Sequence, residues 1–401
     1  MKNKILSFVK LIGPGFIIAS LVLGPGSLTV SSKIGASFGY SFLWVIVIAI
    51  IPMVTYTSMA ARYGTLHKTS ILTTIAQTYG KWFSITIGIS IFIATSSFQF
   101  ANNMGIGIAM SALTGTKEFI WPVVFTLSTV VLIYWTKNLY SILEKVMMVM
   151  VIIMIGSFLV NIFIVKPDIV SVSKGFIPDG SVLNHSKELL ALVGTTFSLV
   201  GAIFQAYLVQ DKGWSIVSMK ESLRDTKVGI FMLGTISALV IITSAAALHP
   251  YHIEVNSAAD MALQLEALFG SYSKYIFSIG LAAAAFSSLV VNAIIGGSML
   301  SDSLGLGKSM NDKYPKIFTF VVLLIGLLVS IFFRGNIIYA IVTAQSATLI
   351  GVPFIAVGLF LLMNNKKVMG SHTNNIKQNA IGLFGFLLVV IMVYFLIQKL
   401  F

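Results

Sequence analysis

Residues 11–32 read LIGPGFIIASLVLGPGSLTVSS, a run apolar and long enough to cross a bilayer, yet with Gly24-Pro25-Gly26-Ser27 set inside it. About 20 apolar residues at 1.5 Å each span the ~30 Å hydrocarbon core. Proline cannot donate to the helix ladder and glycine loosens the backbone, so the quartet predicts an interruption within the membrane. Hydrocarbon cannot solvate the peptide groups freed by such a break, which is tolerated only where it is buried in protein or lines a cavity. The stretch therefore predicts a membrane helix together with a binding site that needs no side-chain charge.

Outward from this run, ten further apolar runs follow, at about 39–61, 83–114, 119–136, 143–165, 188–210, 226–248, 272–300, 315–333, 337–363 and 380–400, which makes eleven predicted spans. Hydrophobic residues make up 57% of the 401 and charged residues only 10%, against roughly 25% charged in soluble domains. The fold class is all-α, a polytopic membrane protein. The excess of 26 Lys and Arg over 13 Asp and Glu is no nucleic-acid footprint, because the basic residues lie between apolar runs. The absence of cysteine excludes disulfides, thiolate ligands and thiol catalysis. The basic amino terminus leads into the first run without a cleavage site, so it reads as a retained span.

Basic residues, which played no part in finding the spans, orient them. With the amino terminus inside, 18 of the 26 fall on the cytoplasmic side and 8 outside, and no basic residue lies between Lys227 and Lys274. The carboxyl terminus is then outside, in a protein of the cytoplasmic membrane. Eleven spans suggest five plus five plus one: a single transporter domain over 1–401, with one repeat at about 11–165, an inverted one at about 188–363 and an extra helix at about 380–400. The first helix of each repeat is broken in that architecture, and span 6 carries Gly201-Ala202 at its middle. Glycine is equally a packing residue between membrane helices.

Charged groups within a bilayer are costly and usually functional. Here Glu118, Glu144, Asp211, Glu221, Asp225 and Asp302 all fall near predicted span ends, where solvation is expected, and His67, His185, His249, His252 and His372 fall in loops. Without a catalytic cluster inside the spans, the chain reads as a carrier that uses no cofactor, and not as an enzyme. Inside remain neutral polar residues: Gln99, Asn102 and Asn103 in span 3, Gln205 and Tyr207 in span 6, Asn292 in span 8, and Thr343, Gln345 and Ser346 in span 10.

Gly13-Pro14-Gly15-Phe16, Gly24-Pro25-Gly26-Ser27 and Gly35-Ala36-Ser37-Phe38-Gly39-Tyr40 with Leu43-Trp44 resemble the NRAMP family of divalent metal ion transporters. Gln345, Val352-Pro353-Phe354 and Lys366-Lys367-Val368-Met369-Gly370 extend the resemblance along nearly the whole chain. It implies a LeuT-like fold that binds Mn²⁺ or Fe²⁺ between broken helices 1 and 6 and imports it with protons by alternating access. The site departs from the family's pattern. Its Asp-Pro-Gly-Asn becomes Gly24-Pro25-Gly26-Ser27; its helix 6 Ala and Met-Pro-His become Ala202 and Gln205-Ala206-Tyr207; its helix 3 acids become Gln99 and Asn102. The resemblance thus implies substrate binding at Gly24, Ser27, Ala202, Gln205 and Gln345, the first four at metal-ligand positions, with Gln99, Asn102 and Tyr207 along the pathway.

A dehydrated divalent ion facing no carboxylate relies on dipoles alone, and the thioether that suits softer metals has become an amide. A hydrated ion such as Mg²⁺, or a small neutral or zwitterionic solute, fits the remaining groups as well, and a channel is a further alternative. The expected partners are a small ion or solute and the lipid bilayer, with no nucleic acid. Gln99 and Asn102 do not titrate, so strict proton coupling is not expected. The orientation is open to test on the cysteine-free chain: a cysteine at Ser257 should react with an impermeant thiol reagent added outside intact cells, and one at Ser218 should not.

Overall fold

The computed structural model describes residues 13–15, 17–18, 24–135, 152–153, 155–310, 312–333 and 335–400. Parts of predicted spans 1 and 5, with Glu144, lie outside them. The described chain is helical, and eight of its helices are long and apolar enough to cross a membrane. These coincide with predicted spans 2, 3 and 6 to 11; spans 4 and 5 are represented by shorter apolar helices, Ile120–Tyr134 and Ile155–Val165.

The elements that position the site are α1 (Pro25–Phe38), α2 (Leu43–Leu66), α3 (Ile71–Tyr79), α4 (Lys81–Thr114), α5 (Ile120–Trp135), α6 (Ser186–Thr196), α7 (Leu199–Asp211), α8 (Met219–Ala247), α9 (Ser273–Ser303), α10 (Lys313–Phe332), α11 (Ile337–Ala347), α12 (Val352–Asn364) and α13 (Ile376–Leu400). The interruption of span 1 falls where the sequence places it. Gly24 is extended, and Pro25 opens α1 at a position where its missing N–H is not needed. Span 6 is broken as well, but not at Gly201-Ala202: α6 ends at Thr196 and α7 begins at Leu199. Ser198 caps the new helix, its hydroxyl accepting from the Gly201 N–H at 3.4 Å. An N-cap serine is a local signal that outweighs a glycine two residues into the helix. Span 10 carries a further break between α11 and α12, closed by Pro353 in the first turn of α12.

Close packing at the centre depends on small residues, as expected where lipid gives no hydrophobic drive between helices. A Cβ on Gly296 of α9 would sit 2.2 Å from Thr95 Oγ1, and one on Gly105 of α4 would sit 2.3 Å from Pro25 Cβ. The second contact seats α1 directly on α4 beside the break. Gly105→Val should therefore lower the thermal midpoint of the detergent-purified protein, overpacking of this kind costing about 1–3 kcal/mol. Gly156→Ala, whose Cβ meets nothing within 4 Å, should leave the midpoint unchanged or slightly raised.

Candidate functional site

The extended backbone at Gly24 starts α1 inside the bundle, which points the positive end of that helix at the break. The Gly24 carbonyl accepts from the Leu28 N–H at 3.3 Å and from the Ser27 hydroxyl at 3.1 Å. Ser27 therefore serves the break itself. On the side of Gly24, a Cβ would meet Ser288 Oγ at 2.9 Å and Asn102 Oδ1 at 3.5 Å. The Asn102 amide donates to Gln99 Oε1 at 3.2 Å, and the Gln99 amide donates to the Leu289 carbonyl at 2.7 Å. Asn292 donates to both the carbonyl and the hydroxyl of Ser288, at 3.0 and 2.9 Å. Gln99 and Asn102 of α4 are thus matched to their surroundings. A carboxylate at Gln99 would have no proton to offer the Leu289 carbonyl.

Gln345 joins the breaks of spans 1, 6 and 10. Its amide covers Gly26, where a Cβ would fall 2.0 Å from Nε2, and its main-chain carbonyl lies 2.5 Å from where a Cβ of Gly194 in α6 would stand. That carbonyl accepts from Thr348 Oγ1 at 2.6 Å, which closes the end of α11. Asn103 points elsewhere, accepting from Thr126 of α5 at 3.1 Å.

Ala202 and Gln205 occupy a different place from the one implied by a break at Gly201-Ala202. Ala202 lies a turn inside α7, its N–H bonded to the Ser198 carbonyl at 3.0 Å, so its own carbonyl belongs to the helix ladder and not to unwound backbone. Gln205 donates to Thr226 Oγ1 of α8 at 2.9 Å. Thr226 adjoins the amino-terminal half of span 1: its Cα lies 2.7 Å from where a Cβ of Gly15 would stand, and Asp225 Oδ2 accepts from the Gly15 N–H at 2.7 Å. Asp225, expected to be solvated, instead holds the start of the first half-helix. The Gln205 and Gln345 side chains are 0% and 2% exposed. The Oε1 atom of each is buried with no hydrogen-bond partner among the described residues.

Tyr207 donates to Oδ2 of Asp302, and Thr73 Oγ1 donates to Oδ1 at 3.0 Å. Asp302, also expected at a solvated span end, is 6% exposed. Two features bury it: α9 runs on to Ser303, beyond the predicted end of span 8, and α3 folds over it from the connection after α2. Nothing local in the sequence marks this carboxylate, because its partners are 95 and 229 residues away. Gln210, one turn further along α7, donates its amide to the His67 and Thr69 carbonyls at 2.8 and 2.9 Å. Glu118 and Glu221, by contrast, are exposed at helix ends as expected.

Broken helices meeting at a buried polar centre in an all-helical apolar bundle define an integral membrane protein of LeuT-like transporter architecture. The profile of the Natural resistance-associated macrophage protein-like family matches residues 15–399, and the chain belongs to that family. It is 23% identical over 390 residues to the divalent metal cation transporter MntH of Staphylococcus haemolyticus (strain JCSC1435), covering 92% of this chain and 86% of that protein. To the MntH of Staphylococcus aureus (strain JH9) it is 23% identical over 425 residues, covering 99% and 92%. Among solved structures, the Eremococcus coleocola manganese transporter in complex with an aromatic bis-isothiourea substituted compound superposes with a TM-score of 0.77 at 18% identity, over 95% of this chain and 85% of that one. MhsT in complex with L-phenylalanine gives 0.60 at 14% identity, over 96% and 98%. These likenesses establish the fold.

Tyr207→Phe removes one of the two donors to a buried carboxylate, a loss of about 1–3 kcal/mol. The thermal midpoint should fall by several degrees, and combining the change with Asp302→Asn should add much less than the two single effects together.

Proposed function

We propose that this chain moves a divalent metal cation across the membrane by alternating access, taking it as a partly hydrated ion at the breaks of spans 1, 6 and 10. Gly24, Ser27, Gln205 and Gln345 form the substrate region, with Ala202 one turn before Gln205 in α7 and its carbonyl kept in the helix ladder, and Gln99, Asn102 and Tyr207 line the pathway, within a five-plus-five repeat followed by one helix. Membership of a family whose relatives include divalent metal cation transporters supports metal transport and a non-catalytic role. The observation that carries the reading is the pair of buried amide oxygens, Gln205 Oε1 and Gln345 Oε1, without hydrogen bonds. Each such orphan costs about 1–3 kcal/mol, a cost that a cation or its bound water offsets. Neutral oxygen donors without a thioether suit a hard cation that keeps water, as Mg²⁺ does. The carriage of a small neutral or zwitterionic solute is the second reading, favoured by glycine standing at the carboxylate position of the first break.

Gly24 has φ −79°, a backbone open to any L residue, so a carboxylate can be restored there if the Ser288 hydroxyl turns aside. Calorimetric titration should find weak binding of Mn²⁺ and Mg²⁺ by the wild type. Gly24→Asp combined with Ser27→Asn and Gln205→Met should raise Mn²⁺ affinity by more than about a hundredfold, roughly 2.8 kcal/mol, with a smaller gain for Mg²⁺. Tight Mn²⁺ binding by the wild type, indifferent to all three substitutions, would refute the site; heat from small amino acids and none from either metal would favour the second reading.

A further inference from the structure

From Met1 to Lys117 and from Lys313 to Phe401 the chain has no acidic residue; all 13 lie between Glu118 and Asp312. The two acid-free stretches meet where α2 ends and α13 begins. Arg62, in the last turns of α2, is 8% exposed there. Its Nη1 donates to Gln378 Oε1 at 3.1 Å and its Nη2 to Asn374 Oδ1, while the Nε–H is buried with no acceptor. Among the described residues no carboxylate pairs with it; Asp302, the one buried carboxylate among them, is taken by Tyr207 and Thr73. A buried charge is ordinarily matched by a counter-charge, and this guanidinium is held by neutral amides alone.

Further positive charge surrounds it. His67 makes a main-chain hydrogen bond to Val368, which ties the loop carrying Lys68 to the short helix Lys366–Met369. Lys377 stands in the first turn of α13, next to Gln378, and the 25-residue helix turns its positive end to the same side. Lys68, Lys366, Lys367 and Lys377 are all exposed.

An apolar cleft begins directly beside this charge. It measures about 180 Å³, lies between α12 and α13, and is walled by Ala356, Val357, Phe360, Leu361, Leu383 and Phe386. Asn379, Leu383 and Phe386 follow one another at spacings of four and three and so share a face of α13. At the foot of the cleft the Asn379 amide donates to Asn364 Oδ1 at 2.8 Å, and Asn379 Oδ1 accepts from Asn374 at 3.1 Å. An unbroken chain of side chains therefore joins the cleft to Arg62. From Gln378 to Phe386 the distance is about 12 Å at 1.5 Å per residue, within the ~15 Å depth of one leaflet. Leu361 and Leu383, 42% and 52% exposed, leave the cleft open toward lipid. A hydrocarbon slot above a basic floor matches a molecule with an acyl tail and an anionic head. The amine of a zwitterionic head would find no carboxylate on any of the elements that build the site.

We propose that the junction of α2, α12 and α13 binds an anionic phospholipid of the adjoining leaflet, its phosphate received by Arg62 and the surrounding lysines and one acyl chain lying in the cleft. Guanidinium pairs with phosphate through two parallel hydrogen bonds. Gln378 is the group that gives way, because its Oε1 also accepts from the Asn375 N–H at 3.0 Å and keeps that bond when Arg62 turns to the phosphate. The site is separate from the breaks and holds whichever solute the protein carries.

Native mass spectrometry of the detergent-purified chain, with phosphatidylglycerol and phosphatidylethanolamine supplied in equal amounts, tests this. The wild type should retain one phosphatidylglycerol with about tenfold preference or more, each basic residue near a lipid headgroup being worth about fivefold. Arg62→Gln should cut the preference about fivefold. Lys366→Gln with Lys367→Gln, at exposed positions where the fold is not at stake, should do at least as much. Leu383→Trp, which fills the cleft, should reduce retention of either lipid about tenfold. If Arg62→Gln yields no folded protein, the lysine pair and Leu383→Trp decide the matter. Equal retention of the two lipids by the wild type would overturn the proposal, as would a preference untouched by the lysine pair. Displacement of the lipid by millimolar inorganic phosphate would overturn it too, making the site one for a free anion.

Discussion

A peptide group inside a bilayer has no water to turn to, so each break in a membrane helix has to be satisfied by the protein or by what the protein binds. The centre of this molecule is organised around that constraint. At the first break the Gly24 carbonyl is served by Ser27 and Leu28; at the second, Ser198 caps α7; at the third, Thr348 closes onto the Gln345 carbonyl. Small residues follow from the same constraint. Gly26, Gly105 and Gly194 let Gln345, Pro25 and neighbouring backbone come close enough to seal the interrupted segments.

Amides stand at the centre, where the family resemblance implies carboxylates, and Gln99 and Asn102 satisfy each other there. An amide both donates and accepts, so Gln99 and Asn102 form a chain from the Leu289 carbonyl toward the break with no buried charge to desolvate. The same chemistry leaves the side-chain oxygens of Gln205 and Gln345 over, in a region where burial makes an unmet acceptor expensive.

Two carboxylates hold distant elements together instead. Asp302 is held by Tyr207 and Thr73 beneath α3, and Asp225 holds Gly15 at the start of the first half-helix. Each joins elements from different parts of the chain, and Asp225 gives the Gly13-Pro14-Gly15 motif a structural partner: the half-helix begins with its N–H groups turned to a carboxylate, as the helix dipole favours.

The sequence by itself determined the membrane class, the positions of eight spans and the break at Gly24. These depend on properties summed over a short window, namely apolar length and the inability of Gly-Pro-Gly to sustain a helix. It was less informative about span 6, because glycine packs helices as readily as it breaks them, and the deciding residue was the capping serine at 198. The resemblance singled out Gly24, Ser27 and Gln345, which tertiary structure gathers at the break. Only that structure decided that Gln205 pairs with Thr226, that Gly26 seats Gln345, and that Asp302 is buried against Tyr207. Those contacts join residues 21, 319 and 95 positions apart, and the physical reason they escape the sequence is that a side chain's polarity is local while its burial is decided by whichever helix folds over it.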